Sequence, residues 1–174
     1  MATSRIAFDF NESKAIETIL YLAKRISRSS KYNICKMLYL ADKTSLDNYG
    51  KFIFGESYFA MQEGATPSKS YDLMKQIAEE CTDDLRVEGN DVVALRDANL
   101  DYLSESDIEC LDQTIAVYDK DPQKMYRDAH DDAWEKAWKH RGDRRSAGIP
   151  VRSIAKTLAN SRDLIDYLTN RSVE

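Results

Sequence analysis

Apolar residues recur at three- and four-residue spacing through Ile16, Ile19, Leu20, Ala23 and Ile26. That period predicts a helix with one buried stripe. Asn11 or Ser13 stands where a cap is wanted. The run SRSSK breaks the pattern, and a second helix is predicted from about Tyr32. It turns Ile34, Met37, Leu38 and Ala41 inward and Asp42, Lys43 and Asp47 outward, and it stops near Gly50.

The period then changes. FIFGESYFAMQ, residues 52–62, is aromatic and β-branched around Gly55, which predicts one bent strand or two short ones. Thr66-Pro67 reads as a cap followed by proline at the first helical position. Tyr71, Met74, Ile77, Ala78 and Cys81 give the helix that follows its apolar stripe. LRVEGNDVVALRD, residues 85–97, predicts a hairpin with Gly89-Asn90 at the turn and Val87 opposite Val92.

Ser104 with Asp107 matches a capping box, and Ile108, Leu111, Ile115 and Tyr118 continue that helix until Asp121-Pro122. MYRDAHDDAWEKAWKHR, residues 125–141, reads as one helix, with Ala129, Ala133 and Ala137 stepping by four beside Trp134 and Trp138. HRGDRRSAGIP reads as loop. IPVRSIAKTLANSRDLIDYL closes the chain as a helix with Ile154, Leu158, Ile165 and Leu168 inward. The sum is an α+β fold, mainly α: five or six helices packed around a small antiparallel sheet of about three short strands. No internal repeat or low-complexity segment interrupts it.

Length and composition agree with this picture. A chain of 174 residues with 43% hydrophobic content buries a core without staples. No basic start precedes an apolar stretch, and no window reaches the roughly 18 apolar residues of a spanning helix. Cys35, Cys81 and Cys110 have no CxxC spacing and sit in apolar helical patterns, so buried, reduced thiols in a cytoplasmic protein are expected. The formal net charge of −5 disfavours broad nucleic-acid binding.

Charge is nevertheless uneven. Residues 79–112 hold twelve acidic and two basic side chains, and residues 134–156 hold seven basic and two acidic ones. Two solvated faces would suffice to explain this. A dipolar surface that steers a partner protein is the sharper reading.

The chemical motifs are weak. GATPSKS, residues 64–70, lacks the second glycine of a phosphate loop, and any helix start offers the same amides. Ser68 has no base close in sequence, with His130 and His140 the only histidines. HExxH is absent, and no cysteine has ligand spacing. Basic and aromatic residues interleave only around WKHRGDRR, which is short for a single-stranded nucleic-acid patch. No catalytic, cofactor-binding or metal-binding residue is assigned.

Residues 36–75, KMLYLADKTSLDNYGKFIFGESYFAMQEGATPSKSYDLMK, form a more specific combination. Lys36, Leu38, Tyr39, Ala41 and Asp42 fit one helical motif, Tyr49 and Gly50 a second. Gly55, Tyr58, Ala60, Met61, Gly64, Pro67, Ser68 and Tyr71 fit a third. Together they resemble the Panacea domain, the SocA-like antitoxin domain, and His130 and Trp134 are similar to a histidine and a tryptophan near the end of many members. Ala65-Thr66 departs from the usual Pro-Val, which removes a rigid residue from the bend.

The resemblance implies residues 1–140 as a Panacea-like domain, with 141–174 a basic loop and C-terminal helix packed on it. It further implies an antitoxin that neutralises a cognate protein toxin, encoded nearby, by direct binding and without catalysis. Lys36 to Tyr71 of the motif are then structural. Gly64 supplies a backbone angle disfavoured for other residues, and Met61 with Tyr71 clamps the strand onto the helix. The partner surface falls first on the acidic segment with Asp83, Asp84 and Glu88. Second come His130, Trp134, Trp138, Arg141, Arg144 and Arg145. Alternatives are a proteolytic adaptor, a small enzyme or nucleotide-binding protein using Ser68 and His130, and a DNA-binding autorepressor. No cofactor, membrane or nucleic-acid partner is expected beyond autoregulation, and a homo-oligomer is compatible with the sequence.

Overall fold

The computed structural model of the protein describes residues 5–171. Helix α1 (Glu12–Arg25) is capped by Asn11, whose side chain accepts from the Lys14 amide. Helix α2 (Lys31–Tyr49), capped by Ser30 and closed by Gly50, is the axis of the molecule. Its residues 34–42 are buried without a break, so packing surrounds it rather than covering one stripe.

Strands β1 (Tyr58–Met61) and β2 (Gly64–Pro67) form a hairpin against α2, and helix α3 (Ser68–Glu80) follows. Strands β3 (Leu85–Glu88) and β4 (Asp91–Ala94) pair with Val87 opposite Val92, as the alternation predicts. This second hairpin is tied to the α1–α2 linker by the Val92 amide on Ser29 and the Lys31 amide on Asn90. Helix α4 (Glu105–Tyr118) begins with the Ser104–Asp107 capping box.

The predicted continuous helix 125–141 is two helices, α5 (Pro122–Ala129) and α6 (Asp132–His140). Asp131 causes the break, because its carboxylate accepts from the Trp134 amide and caps a new start. The predicted terminal helix is also two, α7 (Val151–Ala155) and α8 (Ser161–Arg171). The described residues thus hold eight α-helices, more than the five or six expected, in a fold that is α+β and mainly α.

Part of the predicted loop 140–150 is strand β5 (Ala147–Ile149), which pairs antiparallel with β1 and completes the sheet order β2-β1-β5. Conversely, residues 52–57 are not strand. Phe52, Ile53 and Phe54 are buried, but their backbone serves other partners: the Ile53 amide donates to Asp42, and the Phe54 carbonyl accepts from Asn11. Gly55 sits at φ +76° where the Asp9 backbone passes so close that no Cβ fits.

Three further expectations change. Asp42 points inward, 1% exposed, because it satisfies the Ile53 amide and the Tyr58 hydroxyl. Cys81 is exposed at the end of α3, and only Cys35 and Cys110 are buried. Pro67 belongs to β2 and occupies the cap position itself, so α3 starts one residue later, and the Thr66 hydroxyl donates to Gly64 rather than capping.

Candidate functional site

Lys36, Tyr39 and Asp42 lie three residues apart on the buried side of α2, and each holds a different element. The Lys36 ammonium donates to the Ala65 carbonyl of β2 over 2.9 Å. The Tyr39 hydroxyl donates to the Asp131 carboxylate over 2.7 Å, which Lys43 also reaches. Asp42 accepts from Ile53 before β1 and from Tyr58 within it. Burial pushes the Asp42 carboxyl up to about 7 and the Lys36 ammonium down to about 8. One helix thereby positions the hairpin and the start of α6.

The amides that open α3 are already occupied. Buried Glu56 accepts from the amides of Lys69 and Ser70, and from the Ser70 hydroxyl. An internal carboxylate therefore sits where a phosphate would lie at this helix start. The Ser68 hydroxyl has no hydrogen bond among the described residues. His130 stands apart, with Nδ1 2.7 Å from the Tyr126 carbonyl and Nε2 3.5 Å from that of Gln62. Ser68 and His130 are not joined as nucleophile and base.

Along α5 and α6 four rings follow one another in contact, tilted, edge to face and finally stacked. Tyr126 and His130 have centroids 4.1 Å apart, His130 and Trp134 4.5 Å, and Trp134 and Trp138 5.6 Å at an interplanar angle of 14°. The Arg141 guanidinium ends the row 3.4 Å from the Trp138 centroid. Ala129, Ala133 and Ala137 on the opposite side are buried, and their small size lets the helices lie against the hairpin. Trp134 Nε1 donates to the Met61 carbonyl, fixing the row to β1. Tyr126 is 49% exposed, while His130, Trp134, Trp138 and Arg141 are partly buried.

The predicted basic residues separate into different tasks. Arg144 donates to the Arg141 and His140 carbonyls and closes the end of α6. Arg145 is exposed and unpaired among the described residues. Met61 is 38% exposed, and its carbonyl anchors Trp134. Tyr71 is partly buried and shares a cleft wall with it.

The acidic segment is not one open field. Arg96 takes Glu17 in two hydrogen bonds and Asp84 in a third, while Asp107 pairs with Lys14 and Glu88 with Arg86. Asp83 stays exposed without an ion pair among the described residues. Glu17 was invisible as a site residue in sequence, since it lies on the stripe side of α1 with its partner 79 positions away. Its carboxyl is held below the usual range, chiefly by the Arg96 hydrogen bonds.

No helix among the described residues is long and apolar enough to cross a membrane. Among protein families, the one described as antitoxin SocA-like, Panacea domain, matches residues 34–138. No curated protein and no solved structure matches the chain.

Proposed function

The chain belongs to the SocA-like antitoxin family with the Panacea domain, and from that premise we propose that it neutralises a cognate protein toxin by direct binding, with no chemistry of its own. The toxin is a separate chain, encoded nearby, and the complex forms in the cytoplasm. The row of contacting side chains Tyr126–His130–Trp134–Trp138–Arg141 is the contact surface, and this row is the observation that carries the reading.

Two physical features support a protein partner. Trp134 and Trp138 turn their faces to each other and Arg141 covers Trp138, which leaves these indoles little free face for nucleobases and disfavours single-stranded nucleic acid. What remains outward is a rigid apolar ridge with its rotamers already fixed. Such aromatic and arginine groups anchor protein interfaces at small entropic cost. The acidic segment, ranked first from sequence, is second here because Asp84, Glu88 and Asp107 are bound to neighbours within the chain.

Co-expression with the product of the adjacent reading frame tests this. Growth should be rescued by the wild-type protein and lost with the double substitution Trp134→Ala and Trp138→Ala. Toxin abundance should stay constant during rescue, since a held partner persists and a delivered one is degraded. Rescue by a folded double variant would remove the ridge as the contact.

A further inference from the structure

A cleft of about 700 Å³ lies between the start of α2 and the β1–β2 hairpin. Its walls include Tyr32, Met61 and Tyr71, and Lys36 and Thr66 lie at its floor. Lys36 is 2% exposed. Its ammonium has three donors, but among the described residues only the Ala65 carbonyl at 2.9 Å and the Thr66 hydroxyl at 3.5 Å receive them. No carboxylate lies within ion-pair distance of it, whereas Lys14 with Asp107 and Lys43 with Asp131 each have one. The Tyr32 ring lies 5.0 Å from the ammonium. A cation removed from water without a counter-charge favours any anion that can reach it.

We propose that this cleft binds a small monocarboxylate with a flat apolar body, its carboxylate meeting Lys36 and its body lying among Tyr32, Met61 and Tyr71. A pocket of this size with aromatic walls and one deep charged group suits a small molecule. The mouth carries Arg28 and Lys31 but also Glu63, Asp91 and Asp119. Attraction for an anion is therefore confined to the floor, which selects one charge over several. Burial lowers the Lys36 ammonium, and Glu63 at the cleft, too far for an ion pair, offsets only part of that.

Benzoate is the probe, with benzyl alcohol as its neutral counterpart and chloride matching ionic strength. Carbon-13-labelled methionine methyls report the site, since Met61 lines the cleft whereas Met74 and Met125 are buried elsewhere in the core. Benzoate should shift the Met61 methyl saturably and leave Met74 and Met125 in place, and benzyl alcohol should bind at least tenfold more weakly. The substitution Lys36→Met, which keeps length and loses charge, should weaken benzoate at least tenfold. Equal binding of the alcohol, equal binding by the folded variant, or no saturable shift overturns the proposal. If Lys36→Met does not fold, the labelled Cε resonance of wild-type Lys36 decides: a benzoate-dependent shift supports the site, and an unmoved resonance sinks it.

Discussion

The indole N–H of Trp134 donates to the Met61 carbonyl over 2.8 Å, tying the aromatic row to the tip of a hairpin. Two properties of one side chain can therefore be separated. Trp134→Phe keeps a ring in the row and loses only this bond, at about 1 kcal/mol. Trp134→Ala also removes the contacts with His130 and Trp138, and for a partly buried ring the expected loss is about 2 to 3 kcal/mol. Urea melts give both values. Toxin binding should follow the ring and not the bond, so rescue survives the phenylalanine variant and fails with alanine.

Gly64 has φ +103°, and a Cβ built there lies 2.9 Å from His130 Cε1 and 3.1 Å from the Ala129 carbonyl. Backbone strain and collision act together, so Gly64→Val should cost at least about 1 to 3 kcal/mol. The same push displaces His130 from the row, and partner affinity should drop with stability. Gly148→Ala is the control, because its added Cβ meets nothing closer than Phe59 at 3.8 Å. Thermal melts in which the two variants match would show that the tight approach at Gly64 carries no weight.

The two predicted elements that survive best, the 85–94 hairpin and the Ser104 cap, rest on contacts within a few residues. The misplaced ones rest on partners far along the chain. Asp42 looked outward because its acceptor role is satisfied from Ile53 and Tyr58, which only the fold brings near. The break at Asp131 is the exception: its cap on the Trp134 amide is local, and Tyr39 and Lys43, about ninety positions earlier, hold its other oxygen. β5 is three residues whose pairing with β1 no local period announces. His130, Trp134 and Trp138 were legible as one group from their spacing of four, and their ring contacts persist across the change of helix.

Asp42 sets a pH dependence. Its carboxyl is raised to about 7 by burial, while an unfolded chain ionises near the ordinary value of 3.8. Between those values the folded state binds the extra proton, so stability falls as pH rises. The contribution is fully present below the unfolded pKa and lost through the folded one. Lys36 titrates at about 8, above most of this window. Between about pH 5 and pH 7 the expected loss is about 2 kcal/mol relative to Asp42→Asn, which has nothing to titrate there. Parallel stability curves for the two proteins across that range would contradict this.

Glu56 closes the start of α3 from within. Glu56→Ala leaves the amides of Lys69 and Ser70 without their acceptor in a buried place, at about 3 kcal/mol. Glu56→Gln keeps the shape, but an amide nitrogen then faces donors, and about 2 kcal/mol is expected. Because the wild-type carboxylate fills the cradle, phosphate or ATP should leave the melting temperature unchanged at constant ionic strength. A saturable rise would revive the nucleotide reading of this turn.

Salt separates the two candidate surfaces. An interface built on the ridge draws on apolar and stacking contacts, which salt hardly screens. One built on Asp83 and the neighbouring acids depends on charges that ions screen beyond about 8 Å at physiological strength. Raising salt from low to high should therefore change the toxin dissociation constant by less than about tenfold, mostly in the association rate. Asp83→Asn should alter that rate slightly and Trp138→Ala should raise the dissociation rate strongly. A steep salt dependence that Asp83→Asn flattens would move the contact from α6 to the segment between α3 and α4.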